Sequence, residues 1–360
     1  MPDFPWDRLG RHREQAAAHP GGIVDLSIGT PVDPVPPVVR AALSSAADSP
    51  GYPQTAGTPQ LREAAARWLA RRHGVSVDPG AVLPVIGTKE VIASLPALLG
   101  CGPGDTVVYP ELAYPTYEIG ARLAGARAVA ADGLASLGPE RVRLVWVNSP
   151  ANPTGRVLPA AHLRKMADWA RERGAVLASD ECYLDLAWDT EPVSVLHPGV
   201  SGGFADGLLA VYSLSKRSNL AGYRAGFLTG DPALVAELLE VRRHAGLMMP
   251  APVQAAMVAA LDDDASAGEQ RARYAARRGR LRAALEQAGW TIDHSEAGLY
   301  LWAARPGLDC WGSVDKLAAA GILVAPGEFY GPSGHGHIRV ALTATDERID
   351  AAAGRLARLG

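Results

Sequence analysis

Short apolar runs alternate with amphipathic stretches through the middle of the chain. Residues 81–86, 106–109, 142–147, 175–178, 208–211 and 225–229 are almost continuously apolar. That is the pattern of strands buried on both faces. Helical patterns cover residues 114–123 and 159–173 between them, and Gly87-Thr-Lys-Glu90 opens another helix. Thr58-Pro59 reads as a helix N-cap followed by the first helical position, and Gly74 ends that helix. Strand and helix in alternation predict an α/β fold: a mostly parallel sheet between two layers of helices.

The flanks follow other patterns. Residues 232–289 are helical, with a polar break at Asp262-Asp-Asp264. Strands at 299–303, 322–324 and 337–341 with a closing helix over 346–359 predict a small α+β unit. At the other end, a polar helical piece precedes the short strand signal Asp25-Leu-Ser-Ile-Gly-Thr-Pro31 and a loop holding Pro34, Pro36 and Pro37. The expected division is an N-terminal segment, 1–45, packing on the small domain, then a large domain, 46–265, and a small C-terminal domain, 266–360.

Composition narrows the function. At 360 residues the chain can bury a large core. A formal charge of −3 offers no basic face for nucleic acid. The basic stretch 271–282 is interleaved with Ala and Leu at helical spacing and reads as a solvated helix face. Cys101, Cys182 and Cys310 are odd in number and scattered. That argues against disulfides and a CxxC metal site, and for a reducing compartment. The N-terminus lacks a signal-peptide pattern, and no apolar run reaches the length of a membrane span. A cytoplasmic protein with no metal and no membrane partner is expected.

The candidate chemistry stands at strand ends, where open α/β sheets bind ligands. Val211-Tyr-Ser-Leu-Ser-Lys216 carries a lysine just past a buried strand. Desolvation there lowers the lysine pKa, and the neutral amine can attack a carbonyl. Ser213, Ser215 and Arg224 can hold a phosphate beside it. A Ser-x-x-Lys string also occurs in penicillin-binding enzymes, but their Ser-Asp-Asn and Lys-Thr-Gly strings are absent. Gly87-Thr88-Lys89 lies between strand and helix, either as a phosphate cradle or as a plain cap. Tyr114 and Tyr117 suit ring stacking or core packing. In Asn148-Ser-Pro-Ala-Asn-Pro-Thr-Gly155, prolines stiffen the loop that presents Asn152. Asp180 ends a strand, where it either pairs with a cation or caps a helix, with Glu181 as the less direct alternative. Arg339, inside an apolar strand, takes either a bound anion or an internal ion pair.

Asn152-Pro-Thr-Gly155, Asp180, Lys216 and Arg224 in this order resemble the class I/II aminotransferases, fold type I of the pyridoxal phosphate (PLP) enzymes. The resemblance runs from Ile28-Gly-Thr-Pro31 to His337-Ile-Arg-Val340. It implies a large domain with a mostly parallel seven-stranded sheet and a small α+β domain. It also implies Lys216 as the Schiff-base lysine and Asp180 on the pyridine nitrogen. Asn152 and Tyr183 would hold the phenolate oxygen, with Tyr114 stacked on the ring. Thr88, Lys89, Ser213 and Arg224 would bind the phosphate. Tyr52 would reach it from a second subunit, in a homodimer with shared sites. Arg339, near Gly29, would take the substrate α-carboxylate. Within the family, Pro5-Trp-Asp-Arg8, His19-Pro-Gly-Gly-Ile-Val-Asp25, Gly29-Thr-Pro-Val-Asp-Pro-Val-Pro36, Ile86-Gly-Thr-Lys-Glu90 and Pro110-Glu-Leu-Ala-Tyr-Pro-Thr-Tyr117 are similar to the actinobacterial N-succinyldiaminopimelate aminotransferase. This implies amino transfer between N-succinyl-LL-diaminopimelate and 2-oxoglutarate in lysine biosynthesis. Lys89 and Arg242-Arg-His244 are candidates for the donor's distal end. Competing readings are an aspartate or aromatic aminotransferase, a carbon–sulfur β-lyase of the same fold, and a non-catalytic PLP-binding regulator.

Overall fold

The computed structural model describes residues 1, 3–133, 137, 138 and 140–359. Its strands, in chain order, are β1 (Val24–Asp25), β2 (Val82–Ile86), β3 (Thr106–Tyr109), β4 (Arg127–Ala130), β5 (Val142–Asn148), β6 (Val176–Asp180), β7 (Leu208–Ser213), β8 (Ala225–Gly230), β9 (Thr291–Asp293), β10 (Tyr300–Ala304), β11 (Ile322–Leu323), β12 (Ala325–Pro326) and β13 (His337–Ala341). Seven of them form one sheet in the order β2-β8-β7-β6-β5-β3-β4. β8 runs antiparallel to both of its neighbours. The other pairs are parallel. All six apolar runs are strands of this sheet. The seventh, β4, lies at the edge, where its partly exposed, alanine-rich residues make a weaker strand pattern.

Successive residues of β5 feed opposite faces. Leu144 and Trp146 join a core with Leu83, Val91 and Tyr117, whereas Val145 and Val147 join one with Leu61, Trp68 and Phe227. Burying each such side chain contributes about 1.5–3 kcal/mol. The helix Pro59–His73 starts as its sequence dictates. Thr58 Oγ1 accepts from Leu61 N at 3.2 Å, and Gly74 closes the helix in the left-handed region at φ 63°.

The C-terminal part builds a four-stranded antiparallel sheet, β12-β13-β10-β9. The expected strand at 322–324 is β11, which pairs with β1; just beyond it a further short strand, β12, pairs with β13. Leu9, Val24 and Leu26 share the core of this unit with Leu301 and Ile338. The helix Pro37–Ser45 instead lies on the helix Ala251–Asp262, and its Val39 belongs to the core around Leu61. The N-terminal residues thus touch both bodies and cross the mouth of the cleft between them. Among the described residues, no helix is long and apolar enough to cross a membrane.

Candidate active site

Three strand ends form the floor. Asn148 closes β5, Asp180 closes β6 and Ser213 closes β7; Asn148 and Asp180 are register partners. Asn148 Nδ2 donates to the carbonyls of Asp180 (2.9 Å) and Pro150 (3.1 Å), and its Oδ1 accepts from Asn152 N (2.7 Å). One buried amide therefore folds the proline loop back over the sheet and fixes Asn152. The buried Asp180 carboxylate accepts from Tyr117 Oη (2.7 Å) and Cys182 N (3.1 Å). Burial raises its pKa above the ordinary range, against the pull of those hydrogen bonds. No cation among the described residues offsets that burial. Glu181 faces elsewhere: its Oε1 accepts from Val195 N at 2.7 Å in the interior.

Past β7, Ser213 Oγ accepts from Ser215 N (3.2 Å) and starts the single helical turn Leu214–Arg217. That turn sends Lys216 into the cleft, where Nζ donates to Gly29 O at 2.5 Å. Burial lowers the lysine pKa. Arg224 sits in the left-handed region (φ 56°) and donates to Ala221 O at 3.1 Å. Its guanidinium lies over Gly87, where a Cβ would overlap it. Gly87 precedes the helix Thr88–Leu98, which no side chain caps. Among the described residues the amides of Thr88 and Lys89 have no hydrogen-bond acceptor. An arginine and a bare helix start thus converge on one space, an arrangement suited to a phosphate dianion. Cys182 Sγ donates to Thr88 Oγ1 (3.2 Å), tying the two loops.

The wall comes from the small domain and the N-terminus. Arg339 on β13 is 2% exposed. It donates to Asn152 Oδ1 (2.9 Å) and Ser27 O (2.8 Å), and its Nε has no partner among the described residues. Its Cζ lies 3.9 Å from the Tyr300 ring centroid and 4.8 Å from that of Tyr330. An internal ion pair is excluded for the described residues: the guanidinium is buried with no carboxylate. Tyr183 and Tyr300 hydroxyls meet at 3.3 Å.

These groups line one cavity of about 320 Å³. It gathers Gly29, Thr88, Lys89, Tyr114, Asn152, Asp180, Tyr183, Ser213, Lys216, Arg224 and Arg339, every expected site residue except Tyr52. Tyr52 is 96% exposed and lies outside. Arg242 is corrected as a substrate-binding candidate: it is fully buried and grips Glu90 at 2.8 and 3.1 Å. Phe4, Trp6, Cys182 and Tyr300 also line the cavity, unforeseen from the sequence. Phe4 and Trp6 carried a signal, two aromatics in a polar terminus. Tyr300, in Gly298-Leu-Tyr-Leu-Trp302, looked like any core strand residue.

A family model described as aminotransferase class I and II matches residues 22–356. The chain belongs to the class I and II aminotransferases. It is 62% identical over 356 residues to the 4-dedimethylamino-4-oxo-anhydrotetracycline transaminase OxyQ of Streptomyces rimosus, covering 99% of each chain. A "probable aminotransferase" of Mycobacterium tuberculosis is 63% identical over 357 residues, covering 99% of this chain and 85% of that one. The solved structure of a "probable N-succinyldiaminopimelate aminotransferase" from Thermus thermophilus matches with a TM-score of 0.87 at 32% identity, covering 99% of this chain and 100% of that one. The fold is fold type I, and the cofactor of this aminotransferase is pyridoxal 5'-phosphate. The cavity suits that group on its own evidence: a buried carboxylate without a cation, a bare helix start facing an arginine, and a desolvated lysine between them.

Proposed function

We propose that this aminotransferase moves an amino group between N-succinyl-LL-diaminopimelate and 2-oxoglutarate, with Arg339 binding the α-carboxylate of each. The buried guanidinium without a counter-ion carries the carboxylate part of this reading, because such a charge calls for an anion. The N-terminal sequence stretches and the Thermus thermophilus relative support the succinylated donor.

Asp180 would hold the protonated ring nitrogen, and Asn152 with Tyr183 the phenolate oxygen. Tyr114 would lie against the ring. The amides of Thr88 and Lys89, with Ser213 and Arg224, would hold the phosphate. When bound, the cofactor supplies an electron-withdrawing ring that accepts the electron pair of the broken Cα–H bond. Lys216 Nζ, whose pKa burial lowers, serves in its neutral form as nucleophile toward a carbonyl; when free it takes the substrate's Cα proton and later returns it. Asn152 both faces the cofactor space and bonds Arg339, which fixes the carboxylate end relative to the reacting carbon.

A homodimer with shared sites belongs to the same reading. Tyr52, exposed on a Gly- and Pro-bounded loop, would reach the phosphate of the partner's site. Mixing inactive Lys216→Ala with inactive Tyr52→Phe chains should then regenerate activity in heterodimers; a fully active monomer would rule it out.

A second reading has its own observation. A chamber of about 740 Å³ shares Phe4, Trp6, Lys89 and Tyr114 with the site and adds Tyr109, Phe329 and Tyr330. Such a lining suits fused rings. The Streptomyces rimosus relative is named for a ring ketone, 4-dedimethylamino-4-oxo-anhydrotetracycline, so a ketone of that class is the alternative substrate. One panel decides. The PLP-loaded protein is given each amino donor with 2-oxoglutarate, and each ketone with glutamate. The succinylated donor should give the highest kcat/KM. Aspartate, an aromatic amino acid or the ring ketone outperforming it would overturn the first reading.

A further inference from the structure

We infer that Tyr300 is a positioning residue of this site: its ring seats the Arg339 guanidinium, and its hydroxyl, shared with Tyr183, sets the electrostatic surroundings of Lys216. The inference rests on the aminotransferase reading but not on either choice of donor.

Register places it. Tyr300 starts β10 opposite Ala341, and Trp302 lies opposite Arg339. Tyr300 and Arg339 are thus diagonal neighbours on one face of an antiparallel pair, within reach for an aromatic and a long side chain. The guanidinium carbon stands 3.9 Å from the ring centroid, cation–π contact in a desolvated setting. Tyr330, at 4.8 Å, is a looser second wall. Among the described residues Arg339 has two hydrogen bonds and no carboxylate, so the Tyr300 ring, nearest of the three aromatic rings against it, helps hold the cation in place.

The hydroxyl faces the other way. It lies so close to Gly29 that a Cβ there would overlap it, and this explains why residue 29 is glycine although its φ is not left-handed. The carbonyl of the same glycine accepts from Lys216 Nζ at 2.5 Å. Phenol and amine are therefore docked on one backbone unit. The titratable and charged groups facing Tyr300 among the described residues are Tyr183, Lys216, Arg339, Cys182, Tyr330 and Tyr274. Burial works to raise its pKa, but Arg339, Lys216 and the Tyr183 hydrogen bond outweigh burial and lower it. Burial drives Tyr183 well upward, and its hydroxyl shares a hydrogen bond of 3.3 Å with that of Tyr300, in which either oxygen can donate. Docked on the same Gly29 unit, the Tyr300 hydroxyl works with Cys182 against part of the downward pull of burial on the Lys216 amine.

Tyr300→Phe and Tyr300→Leu separate ring from hydroxyl. In the cofactor-free chain, acetic anhydride labelling of Lys216 followed by mass spectrometry against pH gives the amine's titration midpoint. The Phe variant should move that midpoint down by about one unit, because the opposing oxygen is gone. In the PLP-loaded enzyme the Phe variant should lower kcat while KM for glutamate stays within about twofold. The Leu variant, lacking the π face, should also raise that KM by about tenfold. If the Leu variant does not melt cooperatively, Tyr300→Met replaces it. An unchanged Lys216 midpoint in the Phe variant, or equal KM in the Phe and ring-less variants, overturns the inference. Absence of turnover in the wild type would instead strike the aminotransferase reading, leaving the labelling result to decide the role of Tyr300.

Discussion

The floor and the wall of the cavity are built differently. The floor, Asn148, Asp180, Ser213 and Lys216, comes from adjacent strand ends of one sheet and is bonded largely within itself. The wall, Trp6, Gly29, Tyr300 and Arg339, comes from the two ends of the chain and joins the floor through long-range contacts. Arg339 reaches Asn152 and Lys216 reaches Gly29, each across 187 positions. A floor of this kind is rigid and suits chemistry common to a whole family. A wall assembled from separate bodies can vary without disturbing it, and that is where choice of substrate belongs.

Substitutions should respect this division. Removing the floor's nucleophile has the largest effect: Lys216→Ala should lower kcat on the order of 10⁴-fold or more for every donor, measured by steady-state kinetics. In the wall, Arg339→Ala should cost about 2–5 kcal/mol in kcat/KM for donors with an α-carboxylate and little for amines without one. Equal losses for both would erase the distinction. Asp180→Asn, a floor change that keeps the shape, should slow turnover about a hundredfold with little change in KM. It should also alter the pH dependence of stability. The folded chain holds the Asp180 proton more tightly than the unfolded chain, so cofactor-free stability falls as pH rises through the carboxylate range; the variant lacks that fall in a series of melting curves. Tyr117→Phe should have the smallest effect, about 1–3 kcal/mol of stability from an unmet buried Asp180 oxygen, with turnover nearly kept.

The same division explains what the chain revealed in advance. Lys216, Asp180 and Asn152 each follow an apolar run, so periodicity alone placed them at the functional edge of a sheet. Arg339 was visible as an arginine in an apolar strand, but only the folded chain shows it lacks a carboxylate. Tyr300 was hidden because its role arises from register with β13 and from Gly29, neither of which leaves a local mark. Arg242 misled for the same reason: nothing near it in sequence shows that Glu90 holds it inside. The edge strand β4 is announced only by Ala128-Val-Ala130, a short alanine-rich run with little bulk to bury.

The central claim is that Lys216 carries the cofactor on this floor. Borohydride reduction of the purified yellow enzyme, then proteolysis and mass spectrometry, tests it directly. The account predicts the cofactor fixed irreversibly to the peptide bearing Lys216, with Lys89, Lys165 and Lys316 unlabelled. Label on any of those three with Lys216 free would contradict it.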